Sequence, residues 1–131
     1  MAEMTPQDIV KNCDELKGSN LKWQEVYVKL LASTKANTHR IFRTGNTLFW
    51  VHIQNPGVGQ VFTFNADPKA KMLQNVLEFL KAMKVAKYTT LTAVMPTAGL
   101  FKRLQAAGYT VEIQPLQTSA GPISFKGTIH V

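Results

Sequence analysis

The chain has one cysteine, Cys13, so no internal disulfide can form. That absence suits a reducing compartment, and the expected location is the cytoplasm. The lone thiol reads as a small apolar residue on a helix. No stretch approaches the ~20 consecutive apolar residues of a membrane span, which excludes a helical membrane protein. The opening residues MAEMTPQDIV lack a basic start followed by an apolar block, so they read as neither a signal peptide nor a lipidation site. His39, His52 and His130 fall on different elements and have no second thiol to join them, so no metal site is expected. Ser19, Ser33, Ser119 and Ser124 lack the flanking glycines of a nucleophile elbow. Gly57-x-Gly59 precedes no helix and does not read as a phosphate loop.

Acidic side chains are also scarce in one part of the chain. Residues 1–35 carry five basic and five acidic groups, whereas residues 36–131 carry ten basic groups against Asp67, Glu78 and Glu112. The whole excess of +7 therefore lies in residues 36–131. Such a balance suits an anionic neighbour, either an acidic protein surface or a nucleic acid, or else a solvated face. Lysine and arginine are scattered without a run of four, which weakens the nucleic-acid reading.

At 131 residues the chain reads as a single domain spanning 1–131. Thr5-Pro6 starts a first helix carrying Ile9, Val10, Cys13 and Leu16 on one stripe, with Gly18 as its stop. Ser19 or Asn20 is the expected cap of a second helix, whose apolar positions are Leu21, Trp23, Val26, Tyr27, Leu30 and Leu31. Arg40–Thr44 and Thr47–Ile53 flank Gly45-Asn46 and read as a hairpin on a primed turn. Alternation places Phe49, Val51 and Ile53 on one face and Trp50 and His52 on the other. Asn55–Gly59 turns into a third strand, Gln60–Ala66. Asp67-Pro68 then reads as a cap and first helical proline opening a helix to about Lys84. Leu73, Val76, Leu77, Leu80 and Met83 form its inward stripe. Tyr88–Met95 is a strand, Pro96 starts a short helix ending at Gly108, and Tyr109–Pro115 is a strand. After a turn at Ala120-Gly121-Pro122, Ile123–Val131 is expected to pair back on Tyr109–Pro115. The result is an α/β protein, a mixed sheet of about six strands with four helices on both faces. A strand–helix–strand crossover implies a parallel or split pair, with a pocket where the strand ends part.

This order is similar to the GNAT (N-acetyltransferase) superfamily without its usual first strand, over residues 5–131. Pro96–Glu112, PTAGLFKRLQAAGYTVE, resembles the family's last helix with its closing Gly-aromatic pair, here Gly108-Tyr109. The resemblance implies an acetyl-CoA turn of the form Gln/Arg-x-x-Gly-x-Gly/Ala, whose backbone N–H groups grip the diphosphate. The matching stretch is Asn65–Ala70, where only Ala70 fits. Pro68 removes a donor, and Asp67 adds a negative charge. A register shifted by three puts Lys71 and Leu73 at the glycine positions and fits no better. The cofactor-binding candidates are thus Lys69, Ala70 and Lys71. The family's tyrosine acid would fall at Leu104, and Gln60–Ala66 offers no carboxylate base. His52 is the remaining catalytic candidate, because its ordinary pKa range suits a base.

The reading that follows is a non-catalytic GNAT-like binding or assembly module with no cofactor expected. Compact, acid-poor chains of this kind also look like small accessory or virion proteins of tailed bacteriophages, in which case the location is the virion. Two alternatives stand beside it: a divergent N-acyltransferase using acetyl-CoA, and a nucleic-acid binder. Partner contacts, including self-association, are expected through the hairpin residues Arg40, Arg43, Phe49 and Trp50, since aromatic and arginine side chains are the usual anchors. Phe42, Phe62 and Phe64 add to an aromatic set that stacks bases if the partner is a nucleic acid.

Overall fold

The computed structural model describes residues 4–17, 19–117 and 124–131. The stops expected at Gly18 and Ala120-Gly121-Pro122, and the start of the last strand at Ile123, lie outside them.

Thr5 caps α1 (Pro6–Asn12) through a reciprocal box with Asp8. The helix is shorter than the apolar stripe suggests. Cys13 turns extended, and a separate 3-10 turn spans Asp14–Leu16. Then α2 (Trp23–Lys35) starts from Lys22 without a side-chain cap, rather than from Ser19 or Asn20. The hairpin is β1 (His39–Thr44) and β2 (Thr47–Asn55), paired in register from His39↔His52 to Thr44↔Thr47. Only Gly45 in its turn takes positive φ, at 55°. Next come β3 (Val58–Asn65), a 3-10 turn at Lys69–Lys71, α3 (Met72–Val85), β4 (Thr90–Met95), α4 (Gly99–Ala106), β5 (Thr110–Leu116) and β6 (Ser124–His130). Gly108 ends the α4 segment with φ of 104°.

One six-stranded mixed sheet results, in the order β1-β2-β3-β4-β6-β5. The last strand does pair with β5, and it also inserts between β5 and β4. Each face has its own core. Leu48, Phe64 and part of Trp50 pack against Ile9, Val10, Cys13 and Leu30 of the first two helical segments. Phe49, Val51, Val61, Leu91, Val111 and Ile129 pack on the other face against Val76, Phe79, Leu80 and Met83 of α3 and Phe101 and Leu104 of α4. Alternation along β2 therefore separates the two cores, as its period of two requires. Phe101 lies so close to the Gly127 α-carbon that any side chain there would collide with the ring.

Leu80 is 1% exposed, and its neighbour Lys81 is on the solvent side of α3. Leu77, expected on the same inward stripe, is only half-buried. Leu80→Ala should lower unfolding free energy by about 2–5 kcal/mol, through lost transfer energy and an incompletely closed cavity. Lys81→Ala should change it by less than about 0.5 kcal/mol. Urea denaturation of both variants checks the packing, and equal small effects would contradict it.

Candidate functional site

The parallel strands β3 and β4 pair only through Val58↔Thr90, Gly59↔Leu91 and Gln60↔Thr92. Beyond those residues they part. Gly59 fits the paired section because a β-carbon there would lie 2.6 Å from a Val51 methyl. Past Gln60, the even-numbered residues of β3 direct their backbone groups to β2, a phase continued by the Ala66 N–H bond to the Asn46 carbonyl. The backbone groups of Val61, Thr63 and Asn65 consequently face the gap.

The two sides of the gap differ. Toward α3 and α4 it closes to an apolar cavity of about 30 Å³. The Phe49 and Phe79 rings fill this side, stacked 4.0 Å apart and 2° from parallel, together with Phe101. On the α1/α2 side lies a cleft of about 470 Å³, lined by Glu15, Leu21, Trp50, Phe62, Val94 and Pro96 among others. Leu21, Phe62 and Val94 are 61%, 41% and 48% exposed, so its apolar rim is open to solvent.

Glu15 comes to this cleft from the turn after α1. Its Oε1 accepts the Asn65 N–H at 2.6 Å, and its Oε2 accepts the Thr63 hydroxyl at 3.2 Å. It thus satisfies one edge donor that the parting leaves without a strand partner. Partial burial pushes the Glu15 carboxyl above its ordinary range, against the pull of the Asn65 N–H. A search of β3 itself for acids misses this residue. The signal was non-local, since the contact spans fifty residues and depends on the break of α1 at Cys13.

At the β3–α3 turn, Asp67 does not cap the helix as expected. The residue before the 3-10 turn is Pro68, with no side-chain cap bond, and Lys71 before α3 has none either. The Asp67 Oδ2 instead accepts the Asn46 N–H and the Asn75 amide, both at 2.8 Å. Asn75 also donates to Thr47 Oγ1, Thr47 donates to Asn65 Oδ1, and Asn65 donates to the Asp67 carbonyl. This closed network ties the hairpin turn to the head of α3. Gly45 makes room for it, because a β-carbon there would sit 2.6 Å from Asp67 Oδ2. Burial works to raise the Asp67 pKa, but the hydrogen bonds from Asn46 and Asn75 and the nearby Lys71 outweigh it and hold the carboxyl below its ordinary value.

The cofactor candidates Lys69, Ala70 and Lys71 are all exposed on the 3-10 turn. The turn they stand on is a poor diphosphate cradle: Pro68 lacks an N–H donor and the Asp67 carboxylate is fixed beside it by the Asn46 N–H and the Asn75 amide. His52 stands apart from the cleft. It stacks on His39 with ring centroids 4.6 Å apart, and His39 stacks on Trp50 at 4.4 Å. Burial, then the His52 charge, pushes His39 below the usual histidine value. No group of three or more potential metal ligands occurs among the described residues.

The hairpin anchors separate. Arg40 is exposed. Arg43 turns back on its own turn, donating to the Gly45 carbonyl at 2.8 Å and to Asn46 Oδ1 at 3.0 Å. Trp50 is half-buried, its indole N–H bonded to Ser33 Oγ at 2.9 Å. Phe49 is a correction. At 1% exposure and stacked on Phe79 it is a core residue and cannot touch a partner. Phe42 likewise packs edge-on against Phe79, and Phe64 is buried, so the hairpin offers no continuous stacking platform for bases.

The backbone as a whole superposes on known structures. A ribosomal-protein-alanine N-acetyltransferase from Brucella melitensis superposes with a TM-score of 0.61 at 11% identity, over 99% of this chain and 98% of that one. A GNAT-family acetyltransferase from Streptococcus pneumoniae gives 0.60 at 12% identity, over 99% and 98%. A ribosomal-protein-S5-alanine acetyltransferase from Vibrio fischeri gives 0.59 at 14% identity, over 99% and 91%. The fold is that of the GNAT acetyltransferases. At these identities the likeness extends to the fold alone. No protein-family profile and no curated protein sequence matches the chain. Within the GNAT fold, the cleft occupies the parting of the two parallel strands, and no helix among the described residues is long and apolar enough to cross a membrane.

Asp67→Ala should leave the Asn46 N–H and the Asn75 amide without their acceptor, at a cost of about 1–3 kcal/mol near neutral pH. Because the folded carboxyl titrates below its unfolded value, the Asp67 contribution is fully present above the unfolded pKa. It is lost as pH falls through the folded pKa. Urea denaturation should therefore show the gap between wild type and variant narrowing from about pH 7 to about pH 3. A constant gap would contradict the charged role.

Proposed function

We propose that this chain is a GNAT-fold binding module that does not transfer acetyl groups from acetyl-CoA. The observation that carries the reading is the Asp67 carboxylate, fixed by two 2.8 Å hydrogen bonds beside the helix start where a diphosphate would need free donors. A second anion there meets like charge, which Lys71, the weakest of the influences that lower the Asp67 pKa, offsets only in part. The rings that fill the gap toward α3 and α4 support the same reading, since they would confine an extended thiol arm to the α1/α2 side.

The binding surface is then the cleft on the α1/α2 side. Its volume, about 470 Å³, lies within the range of roughly 300–1,000 Å³ common for ligand sites. Its apolar rim and the edge groups of Val61 and Thr63 suit a ligand with an apolar body and a few hydrogen-bonding groups. The assembly role, including a virion setting, is the biological form this reading takes from the resemblance alone.

A divergent N-acyltransferase is the second reading, favoured by one observation. The Glu15 carboxyl lies at the cleft with its pKa raised by burial, as a general base requires. Both its oxygens are already engaged by β3, which suits a structural clamp better.

Calorimetry with acetyl-CoA separates the two. Binding should be no tighter than roughly millimolar, about −4 kcal/mol. A micromolar dissociation constant that weakens in Lys69→Ala and Lys71→Ala would overturn the binding-module reading.

A further inference from the structure

The sheet ends at β1, and among the described residues no strand pairs along its outer side. The phase of the ladder fixes which backbone groups are left over. Ile53 N–H bonds to the Thr38 carbonyl, so Arg40↔Val51 and Phe42↔Phe49 are the hydrogen-bonded pairs that follow. The N–H and carbonyl groups of His39, Ile41 and Arg43 therefore point outward, three consecutive docking positions on one edge.

Sheet edges are normally blunted by proline, bulges, short strands or charged side chains, and charge of one sign repels like strands while still admitting an oppositely charged one. Here β1 is six residues long, without proline, and its register with β2 is unbroken. Of these devices it carries only charge, and that of one sign. Arg40 and Arg43 have no carboxylate within 4 Å among the described residues, and Arg43 spends its donors on neutral oxygens of its own turn. The strand has no acid of its own. Between the charges, Ile41 is a half-buried apolar residue packed on the α1/α2 core.

We propose that β1 is a docking edge for an acidic, extended segment of another protein, which adds to the sheet as a further strand. Backbone bonds to His39, Ile41 and Arg43 would give the affinity. An acidic residue opposite Arg40, on the α3/α4 face, next to an apolar one opposite Ile41, on the α1/α2 face, would give the specificity. A second copy of this chain fits poorly. Pairing centred on Ile41 gathers both copies' Arg40 and Arg43 on one two-stranded strip without an acid of its own, and like charges brought close destabilise a pair. This surface is distinct from the cleft, because β2 separates β1 from the parting strands β3 and β4. The inference therefore stands whichever way acetyl-CoA binding turns out.

The test uses the full chain and two labelled peptides, one alternating glutamate with valine and one alternating lysine with valine. Fluorescence anisotropy should show the glutamate peptide binding at least about 10-fold tighter, with an affinity that falls as salt rises. Hydrogen exchange should slow at the amides of His39, Ile41 and Arg43 on binding. Arg40→Glu changes an exposed side chain, so circular dichroism should be unaltered while the preference for the glutamate peptide shrinks or reverses. Equal binding of the two peptides, or none up to about 1 mM, would overturn the proposal. So would exchange protection at Val61 and Thr63 in place of β1. A concentration-dependent dimer of the protein alone that protects the Ile41 amide would assign the edge to a second copy and likewise overturn it.

Discussion

After Gln60↔Thr92 the parallel strands β3 and β4 stop sharing hydrogen bonds, and most of what is distinctive in this molecule answers that parting. A strand that loses its neighbour in mid-sheet exposes backbone donors and acceptors that must be satisfied. On one side of the gap the chain fills the space with rings, Phe49 on Phe79 and Phe101 on the bare α-carbon of Gly127. On the other it brings Glu15 across to the Asn65 N–H and leaves the rest open as a cleft. Packing and polar satisfaction thus divide the gap between them, and the cleft lies where neither completes the closure.

The polar cluster around Asp67 performs a related task at the end of β3. Thr47, Asn65 and Asn75 are the buried polar residues of the described chain, and each is hydrogen-bonded. Buried polar groups are stabilising only when all are matched, and here one carboxylate serves both a backbone N–H and a side-chain amide. The network joins three segments distant in sequence: the β1–β2 turn, the exit of β3 and the second turn of α3. Under the proposed reading, the same carboxylate also repels a diphosphate from the turn before α3. Local structure and the proposed lack of cofactor binding thus rest on the same carboxylate.

Much of the architecture was legible in local signals. Period-two alternation along Thr47–Ile53 correctly separated Phe49 and Val51 from Trp50, and Gly45-Asn46 marked the hairpin. The helix boundaries were less legible, because Cys13 is an unremarkable residue, and nothing local marks the extended conformation that ends α1 before Glu15 meets β3. Reading Asp67-Pro68 as a cap followed a sound local rule. A stronger partner won, since the Asn46 N–H, twenty-one residues away, is brought within 2.8 Å only when the hairpin folds over the turn.

The sequence by itself determined the order of helices and strands, the two-faced pattern of the sheet and the absence of glycine from the β3–α3 turn. These are properties of spacing and of single residues, and they hold wherever the chain goes. Only the tertiary structure decided that β6 inserts between β4 and β5, that Phe49 is core while Arg40 is surface, and that Glu15 reaches the gap. Alternation assigns a residue to a face but not to a covered or an open part of it. Which part is covered depends on where the helices land, and that is settled by contacts between segments tens of residues apart.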